Sequence, residues 1–374
     1  MVITGGPGTG KTTLIRAIIT AAEQNGLEPA LMAPTGRAAK RLAISSGRDA
    51  DTIHKALEAS VRETGRTYFE RNEANPLEED LIIVDEASML DISLFYHLLC
   101  ALKDGARLIL VGDIDQLPPV GAGEPLKDLM SWGYVPIVRL KRIFRQEEGS
   151  GIVENAALIR KGEMCVPDEA GEFRIVYAAD DEDAYRIVMD LCRELNYGNE
   201  ENKMLLQVLS PMYRGVCGVD HLNESLQEMI HGEKVPDGMK FFPGDKVMQT
   251  RNDYEKGIYN GDVGTVWTAT PQKVFVRYFD KEVVYEGEER FDLRLAYAVT
   301  VHKSQGSEYE TVIFILRPSQ HNMLQRNLLY TGVTRARKNT ILVTAPDALR
   351  RALAIQHTGN RYSLFLPFLN HEAL

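Results

Sequence analysis

The sequence has few cysteines, no long apolar segment and no excess of positive charge. Its four cysteines form no C-x-x-C pair and have no nearby histidine at metal-ligand spacing, which argues against a disulfide framework and a structural zinc site. A reducing, cytoplasmic environment is therefore expected. The apolar runs are shorter than the ~20 residues that cross a bilayer. A glycine-rich loop begins at residue 5, which leaves no room for a signal peptide. These absences argue against a secreted or membrane protein.

Acidic residues outnumber basic ones, with 53 Asp and Glu against 43 Lys and Arg and a net charge of -10 at pH 7. No global positive field therefore draws the chain to a polyanion, and any nucleic-acid contact must depend on local positive charge. The length of 374 residues, with 44% hydrophobic and 26% charged residues, is typical of a globular protein. At ~150 residues per domain, it predicts two or three domains.

The first half of the chain alternates short apolar runs with amphipathic stretches, which predicts a parallel sheet with crossover helices. A helix is expected at 12–24, and another at 91–103 with Asp91 as its N-cap. The same alternation resumes after Gly171 and predicts a second α/β sheet. The strands expected in the first sheet are residues 2–4, 30–33, 81–85, 107–111 and 137–140.

Two segments interrupt this alternation. Residues 61–76 contain a turn signal between polar flanks and predict a small β-hairpin. Residues 241–292 alternate apolar and polar side chains between turns, which predicts a small antiparallel barrel. We therefore expect a first domain at 1–145 that carries the hairpin and a second at 146–374 that carries the barrel.

The segment from Gly5 to Thr12 matches the phosphate-binding pattern G-x-x-x-x-G-K-[ST]. It follows an expected strand and opens an expected helix, and this context argues against an ordinary glycine-rich turn. Glycines let backbone N–H groups point at phosphate oxygens, while Lys11 can reach the β and γ phosphates and the Thr12 hydroxyl can bind Mg²⁺. The predicted site for ATP and Mg²⁺ comprises Gly5, Gly6, Pro7, Gly8, Thr9, Gly10, Lys11, Thr12 and Thr13.

Carboxylates follow the next buried strands, where ligands collect in open α/β sheets. In LIIVDEAS, Asp85 is placed to hold Mg²⁺ and Glu86 to polarise the attacking water. In LVGDIDQLPPVG, Asp113 and Gln116 are expected at the same sheet edge. Gln116 either orients water near the γ-phosphate or belongs to an ordinary polar turn, and its spacing favours neither alternative.

The motifs taken together resemble those of superfamily 1 DNA helicases, and most of all the RecD-like branch, which moves 5′ to 3′. The resemblance runs from residue 2 to about residue 345. It implies two tandem RecA-like α/β domains, with the β-hairpin inserted in the first and an SH3-like β-barrel in the second. The implied activity is an ATP-dependent DNA helicase or translocase of repair or recombination. The segments that carry the resemblance are GGPGTGKTT, APTGRAA, DTIHKAL, IVDEASMLD, VGDIDQLPPVGAG, RIFRQ, SPMYRG, AYAVTVHKSQGSEYETV and YTGVTRAR.

The resemblance also implies residue roles. Lys11, Thr12, Asp85 and Glu86 keep the roles given above, and Gln116 couples the γ-phosphate to the domain interface. The remaining implied roles are two arginines supplied by the second half of the cleft, a base-stacking aromatic and a contact to the nucleotide sugar: Arg145, Arg335, Phe144 and Glu308.

A translocating ATPase must also hold a single strand through contacts that tolerate any sequence. N-capping is the alternative role for the two threonines at 52 and 300, and a structural role is the alternative for both histidines. The hairpin is placed where the family has a strand-separating pin, and a solvated surface hairpin is the alternative. The candidate strand contacts are Thr35, Arg37, Thr52, His54, Arg214, Thr300, His302 and Lys303.

Other functions remain open at this point. An RNA helicase of the same superfamily has similar motifs, and a non-motor ATPase subunit of a nuclease complex would share the first half. The expected partners are single-stranded DNA, duplex junctions and subunits of a repair or nuclease complex, with no membrane and a monomeric chain. Family members carry an upstream helix whose glutamine reads adenine, and this sequence starts on the first strand. We therefore expect weak discrimination among nucleoside triphosphates.

Overall fold

The computed structural model describes residues 1–61, 67–141, 150–234, 236, 238–253, 255–279, 281–356 and 365–370. The chain divides into two compact units, which are unit 1 (Met1–Glu147 with Gly359–Leu374) and unit 2 (Glu148–Thr358). Each unit contains its own parallel sheet and its own apolar core.

Unit 1 contains a six-stranded parallel sheet and a short antiparallel pair. Its strands are β1 (Val2–Gly5), β2 (Pro29–Ala33), β3 (Asp51–Thr52), β4 (Ala59–Val61), β5 (Thr67–Phe69), β6 (Leu81–Val84), β7 (Arg107–Gly112) and β8 (Ile137–Leu140). The parallel sheet has the spatial order β3-β2-β6-β7-β1-β8. All five strands expected from the sequence are confirmed. The helices up to β8 are α1 (Lys11–Gln24), α2 (Gly36–Ser46), α3 (Ile53–Ala56), the 3-10 turn Ala87–Met89, α4 (Ile92–Cys100) and α5 (Pro125–Trp132).

The β6 strand shows why this sequence forms a central strand. All four of its residues are aliphatic and buried. Successive side chains point to opposite faces, so Ile82 and Val84 join one apolar cluster while Leu81 and Ile83 join the cluster on the other face. Burial on both faces fixes the strand in the middle of the sheet. Asp85 directly follows β6 and therefore lies at the carboxyl end of an inner strand of the sheet.

The expected hairpin is confirmed as the antiparallel pair β4 and β5, with Ser60 opposite Tyr68. The expected turn at residues 62–66 lies outside the described residues. Phe69, at the end of β5, is buried, and its ring lies 4.5 Å from the ring of His97 and 5.9 Å from that of His54. The base of the hairpin is therefore part of the core of unit 1.

Unit 2 contains a five-stranded parallel sheet and an inserted β domain. Its strands are β9 (Phe173–Tyr177), β10 (Leu206–Ser210), β11 (Lys246–Gln249), β12 (Val263–Ala269), β13 (Lys273–Arg277), β14 (Glu282–Glu286), β15 (Leu293–Leu295), β16 (Ala298–Thr300), β17 (Tyr309–Leu316) and β18 (Ala336–Thr344). The parallel sheet has the order β16-β10-β17-β18-β9. The helices are α6 (Gly151–Lys161), α7 (Asp181–Glu194), α8 (Glu200–Leu205), α9 (Val219–His231), α10 (Arg326–Val333) and α11 (Pro346–Ala354), with 3-10 turns at Gly287–Asp292, His302–Ser304 and Pro318–Met323.

The remaining five strands of unit 2 form the expected inserted β domain. They pair antiparallel in the order β14-β13-β12-β11-β15, from Lys246 to Leu295, around a separate apolar cluster. The buried Lys246 ammonium donates to the Leu206 carbonyl and to Gln207 Oε1, both at 3.0 Å. These bonds tie the first strand of the insertion to β10 of the parallel sheet.

The C-terminal end differs from the expected domain boundary. The sequence pattern assigned residues 146–374 to one domain, whereas Gly359–Leu374 groups with unit 1. Helix α12 (Phe365–Leu369) packs against α5, and the Phe365 ring meets that of Phe95 edge-on at 5.8 Å. The contacts of α12 with α5 and with the apolar cluster of unit 1 account for this grouping. A helix of five residues is too short for its periodicity to predict its partner.

Two further observations concern the chemistry of the whole chain. Within the described ranges, no helix combines the length and apolar character needed to cross a bilayer. All four cysteines are free thiols, and burial raises the pKa of Cys165, Cys192 and Cys217 to about 12. These three thiols are therefore poor nucleophiles at neutral pH.

Candidate nucleotide and nucleic-acid sites

The loop between β1 and α1 takes a path that requires glycine. Gly8 and Gly10 have φ angles of 71° and 84°, which L side chains rarely adopt. A Cβ added at Gly5 would lie 2.6 Å from Thr9 Oγ1. The tight loop brings its backbone close to the start of α1, as the phosphate-binding pattern predicts.

Helix α1 begins with polar groups that an anion can use. Within the described N-terminal range, no side chain caps its first turn and no acidic residue lies there. Its first N–H groups and the positive end of its dipole therefore favour a negative ligand. The Lys11 ammonium donates to the carbonyls of Gly5 and Gly6 at 2.6 and 2.9 Å, so it lies directly over the loop. Thr12 and Thr13 follow in the same turn.

The carboxyl end of β6 carries two buried carboxyl groups. Asp85 and Glu86 are 4% and 5% exposed. Burial and the neighbouring Glu86 charge raise the pKa of Asp85 to about 6, while the Arg41 and Lys11 charges act in the opposite direction. Glu86 has a left-handed backbone with φ 51°. Such a conformation costs on the order of 1 kcal/mol or more in a non-glycine residue and is frequent at functional sites.

Sequence reasoning missed the partner of Glu86. Arg41 in α2 places Nη2 2.7 Å from Glu86 Oε1. Arg41 lies four residues after Arg37, on one helical stretch of the segment GRAAKR. That spacing is the one sequence signal that could have drawn attention to it, but it does not specify a carboxylate 45 residues away.

Gln116 lies with Asp113 after β7, the neighbour of β6 in the sheet. Gln116 Nε2 is 3.4 Å from Asp113 Oδ2, and both residues are buried. Among the described residues, the buried Gln116 Oε1 and Ser88 Oγ have no hydrogen-bond partner. An unmet buried polar atom costs about 1–3 kcal/mol, so a water or ligand is expected there. This favours the water-orienting alternative for Gln116 over the ordinary turn.

The residues assigned through the resemblance in unit 2 have structural partners of their own. Arg335 is 3% exposed, and its guanidinium donates to the carbonyls of Thr331 and Ser307, both at 3.1 Å. Glu308 accepts from Nε and Nη2 of Arg337 at 3.0 and 2.9 Å. The other two such residues, Phe144 and Arg145, lie outside the described residues.

The candidate threonines occupy capping positions. Thr35 accepts from the N–H of Ala38 at 3.3 Å at the start of α2, and Thr52 accepts from Lys55 at 3.1 Å at the start of α3. Thr300 accepts from the N–H of Lys303 at 3.2 Å. These hydroxyls therefore have a structural role as acceptors. A contact to a nucleic-acid phosphate would use each hydroxyl as a donor.

The candidate histidines and arginines differ in their surroundings. His54 is half-buried, and burial lowers its pKa while the charge of Asp91 acts in the opposite direction. His302 begins a 3-10 turn next to β16. Arg214 is exposed ahead of α9, and Arg37 occupies the first turn of α2. The Asp91 side chain also accepts from Leu94 N–H at 2.8 Å, which confirms it as the cap of α4.

Unit 2 contains a cavity of about 750 Å³ between α9, the inserted strands and β16. It brings Thr300 and Lys303 together with Lys240 and Arg294, two cations that sequence reasoning did not select. Burial and the nearby Arg294 charge lower the pKa of Lys303. Two acidic residues, three uncharged polar residues and eight apolar or aromatic residues complete the lining: Asp220, Glu224, Asn223, Gln227, Thr250, Tyr213, Val219, Met239, Met248, Phe291, Leu295, Ala298 and Val299.

Three family models match separate parts of the chain. Residues 1–122 match an AAA domain, and residues 222–278 match the SH3 domain of ATP-dependent RecD-like DNA helicases. Residues 295–343 match a UvrD-like helicase C-terminal domain. The SH3 match begins in α9 and covers most of the inserted β domain.

Similar proteins point to the same family. The chain is 39% identical to the ATP-dependent RecD2 DNA helicase of Deinococcus radiodurans, with 97% of this chain covered but only 49% of that protein's length. It is 34% identical to the RecBCD enzyme subunit RecD of Mycolicibacterium smegmatis, over 97% of this chain and 72% of the relative. The structure of the Pif1 helicase from Bacteroides with ADP-AlF3 and ssDNA has a TM-score of 0.58 at 21% identity, over 94% of this chain and 89% of that one, which shows a shared fold. The chain belongs to the RecD-like family of superfamily 1 DNA helicases.

Proposed function

We propose that the protein is an ATP-dependent DNA helicase or translocase that moves 5′ to 3′ on single-stranded DNA and acts in repair or recombination. One observation carries this proposal. Strand β1, which leads into α1, and strand β6, which ends at the buried Asp85 and Glu86, belong to the same parallel sheet. The chain also carries the RecD-like SH3 insertion.

The loop residues fit a nucleoside triphosphate, and ATP is the proposed nucleotide. On binding, Lys11 exchanges its bonds to the Gly5 and Gly6 carbonyls for phosphate oxygens. Thr12 and Asp85 are the proposed Mg²⁺ ligands. Mg²⁺ at such sites is usually held by one or two protein groups together with phosphate oxygens and water. When bound, Mg²⁺ neutralises charge on the β and γ phosphates.

In the proposed reaction, Glu86 accepts a proton from the water that attacks the γ-phosphate, and Gln116 orients that water through its unmet amide oxygen. Arg145 and Arg335 are the proposed cations for the developing charge on the phosphoryl group. The described bonds of Arg335 to Thr331, Ser307 and Thr334 use three of the five N–H groups of its guanidinium and fix its orientation within unit 2. The first and second domains are proposed to close around the nucleotide in each cycle.

The proposed DNA track includes the cavity of unit 2. Lys240, Arg294 and Lys303 supply local positive charge within an acidic protein, and the exposed Phe291 offers a ring for base stacking. Together with the threonines, histidines and arginines named above, these residues contact a strand without reading its sequence. Proposed partners are duplex junctions and subunits of a repair or nuclease complex, and the proposed state is a cytoplasmic monomer.

The hairpin is proposed to separate strands. One possible test deletes residues 62–74, which include the hairpin turn. Because Phe69 is buried, this deletion would also remove a side chain from the core. A sharper test replaces only residues 62–66 with a short glycine-containing turn. Unwinding should be lost while hydrolysis stimulated by single strands remains. Loss of both activities would assign the tip to support of the fold.

The main experiment measures ATP hydrolysis with and without single-stranded DNA or RNA, followed by unwinding of 5′-tailed and 3′-tailed duplexes. The proposal predicts stimulation by DNA and unwinding of the 5′-tailed substrate, with Lys11→Ala inactive. Stimulation by RNA alone would point to an RNA helicase. Stimulation by DNA without unwinding of either duplex would point to a non-motor subunit.

A further inference from the structure

Helix α2 connects a predicted strand contact with the candidate catalytic carboxylate, entirely within unit 1. Thr35 caps the helix and Arg37 lies in its first turn, and both are candidate DNA contacts. One turn further along, Arg41 Nη2 lies 2.7 Å from Glu86 Oε1. A displacement of this helix would therefore be felt directly at Glu86.

The pair engages one of the two oxygens of the carboxylate that the proposed chemistry needs. The Glu86 side chain is 6% exposed, whereas that of Arg41 is 31% exposed. A charge-assisted hydrogen bond in a site mostly closed to water is stronger than a surface ion pair. A carboxylate that is paired with a guanidinium accepts a proton from water less readily than an unpaired one.

The first turn of α2 is built to shift at low cost. Its buried side chains, Ala38 and Ala39, pack with Ala33 of β2 in a small cluster of alanines. Alanine side chains make few dispersion contacts, so little packing is lost when this turn moves. The larger Leu42 anchors the next turn in the main core.

We propose that Arg41 is a positioning residue that withholds Glu86 from hydrolysis until single-stranded DNA binds at the start of α2. This inference rests on the proposed function. DNA phosphates draw Arg37 and the partly exposed Arg41 guanidinium toward the strand, and Arg41 then releases Glu86 while Leu42 keeps its own turn in the core. Glu86 accepts the proton of the attacking water, and ADP and phosphate are formed. Because coupling is reciprocal, the pair must also weaken DNA binding.

The test compares the wild type with Arg41→Ala, Arg41→Lys and Arg48→Ala, using a thymidine homopolymer as the DNA. Allosteric couplings commonly span about 5- to 150-fold. Arg41→Ala should raise DNA-free turnover about 5- to 20-fold and leave DNA-saturated turnover within about 2-fold. It should also tighten DNA binding, measured by fluorescence anisotropy, by a similar factor. The DNA-free turnover and the DNA affinity of Arg41→Lys should lie between those of the wild type and Arg41→Ala, because an ammonium offers one point charge instead of a planar fork.

Arg48→Ala is the matched control, because Arg48 follows α2 and pairs at 2.7 Å with the exposed Glu23 instead of Glu86. It should leave both rates and the DNA affinity unchanged. An Arg41→Ala protein with an unchanged stimulation ratio, or with both rates lowered equally, would overturn the inference. If the alanine variant does not fold, the stimulation ratio and the DNA affinity of Arg41→Lys decide the question by the same criteria. A wild type without any stimulation would overturn the proposed function itself, which keeps the two failures distinct.

Discussion

The buried polar groups at the Asp85–Glu86 end of unit 1 differ from the motif residues Arg335 and Glu308 of unit 2 in the partners that the folded protein gives them. In unit 1, two carboxyl groups lie side by side, one with a raised pKa, and the amide oxygen of Gln116 has no partner among the described residues. In unit 2, Arg335 donates to carbonyls of its own unit and Glu308 is held by Arg337.

The two regions therefore differ in how much stability a bound ligand would add. Burying charges beside each other or leaving a polar atom unmet costs stability, and a bound cation or triphosphate can offset that cost. A guanidinium that already has carbonyl partners gains less stability from a new ligand than an unpaired one would. The end of unit 1 that carries Asp85 and Glu86 is therefore organised for a ligand. Arg335 and Glu308 are held by unit 2 itself, although the buried Ser307 Oγ next to Glu308 also has no hydrogen-bond partner among the described residues. Five substitutions can break or sharpen this comparison.

The largest effect is expected from Lys11→Ala in unit 1. Loss of the ammonium that reaches the phosphates should lower kcat/KM for ATP by about 10³-fold or more. Stability should change little, because the partners of Lys11 are carbonyls of a half-exposed loop. The half-exposed Lys103, which pairs with Asp80 at 2.8 Å, provides the control as Lys103→Ala. Full turnover in Lys11→Ala would remove the loop from the mechanism.

Glu86→Gln should separate binding from chemistry. The amide keeps the shape but cannot accept the proton, so kcat should fall about 10²- to 10⁴-fold. Nucleotide affinity, followed with a fluorescent ATP analogue, should stay within a few-fold of the wild type. Retention of turnover by the glutamine variant would contradict the assignment of Glu86 as the base.

Arg335→Ala tests the unit 2 side of the comparison through two readouts. Loss of the buried guanidinium removes a hydrogen bond from the Thr331 carbonyl, which keeps its bond from the Thr334 hydroxyl, and another from the Ser307 carbonyl, so stability should fall by about 2 kcal/mol. Turnover should fall about 10³-fold if the arginine also serves the phosphoryl group. Calorimetry and steady-state hydrolysis measure the two effects. Arg335→Lys is the control for charge alone. Normal hydrolysis in the alanine variant would leave Arg335 a purely structural role.

Asp85→Asn should stabilise unit 1 while it lowers hydrolysis. The folded-state pKa of about 6 lies above the ordinary value of 3.8, so folding retains a proton that the unfolded chain loses between these pH values. Wild-type stability therefore falls as pH rises through this window, and the full deficit persists at higher pH. Asparagine avoids it, so we expect a gain of about 3 kcal/mol at pH 8 without nucleotide or Mg²⁺. A stability difference that does not change between pH 4 and pH 8 would show that the Asp85 charge is not the cause.

The smallest effect is expected from Glu308→Gln. An ion pair at a partly exposed site contributes about 0–1 kcal/mol, so stability should change by less than that. The matched variant Arg337→Ala breaks the same pair from the other side. If the pair is the main role of Glu308, both variants should change KM for ATP by less than about 3-fold. A larger rise in KM in Glu308→Gln alone would support the contact to the nucleotide sugar.

Elements whose signal is local were predictable. The phosphate loop, the strands of the first sheet, the Asp91 cap and the inserted β domain each depend on residues close in sequence. The partners of Glu86 and Arg335 were not predictable, and neither was the cavity that joins Lys240 and Arg294 to Thr300. Those contacts depend on which strands are neighbours and on how α9 and the insertion pack.

The sequence by itself determined the chemistry available to this protein. The glycines at 8 and 10 permit the loop, and the apolar run before Asp85 places two carboxyl groups at a strand end. Only the tertiary structure decided which partners hold those groups. Arg41 reaches Glu86 because β2, which precedes α2, pairs with β6. Backbone preferences act over a few residues, whereas strand order and side-chain packing act between residues far apart along the chain.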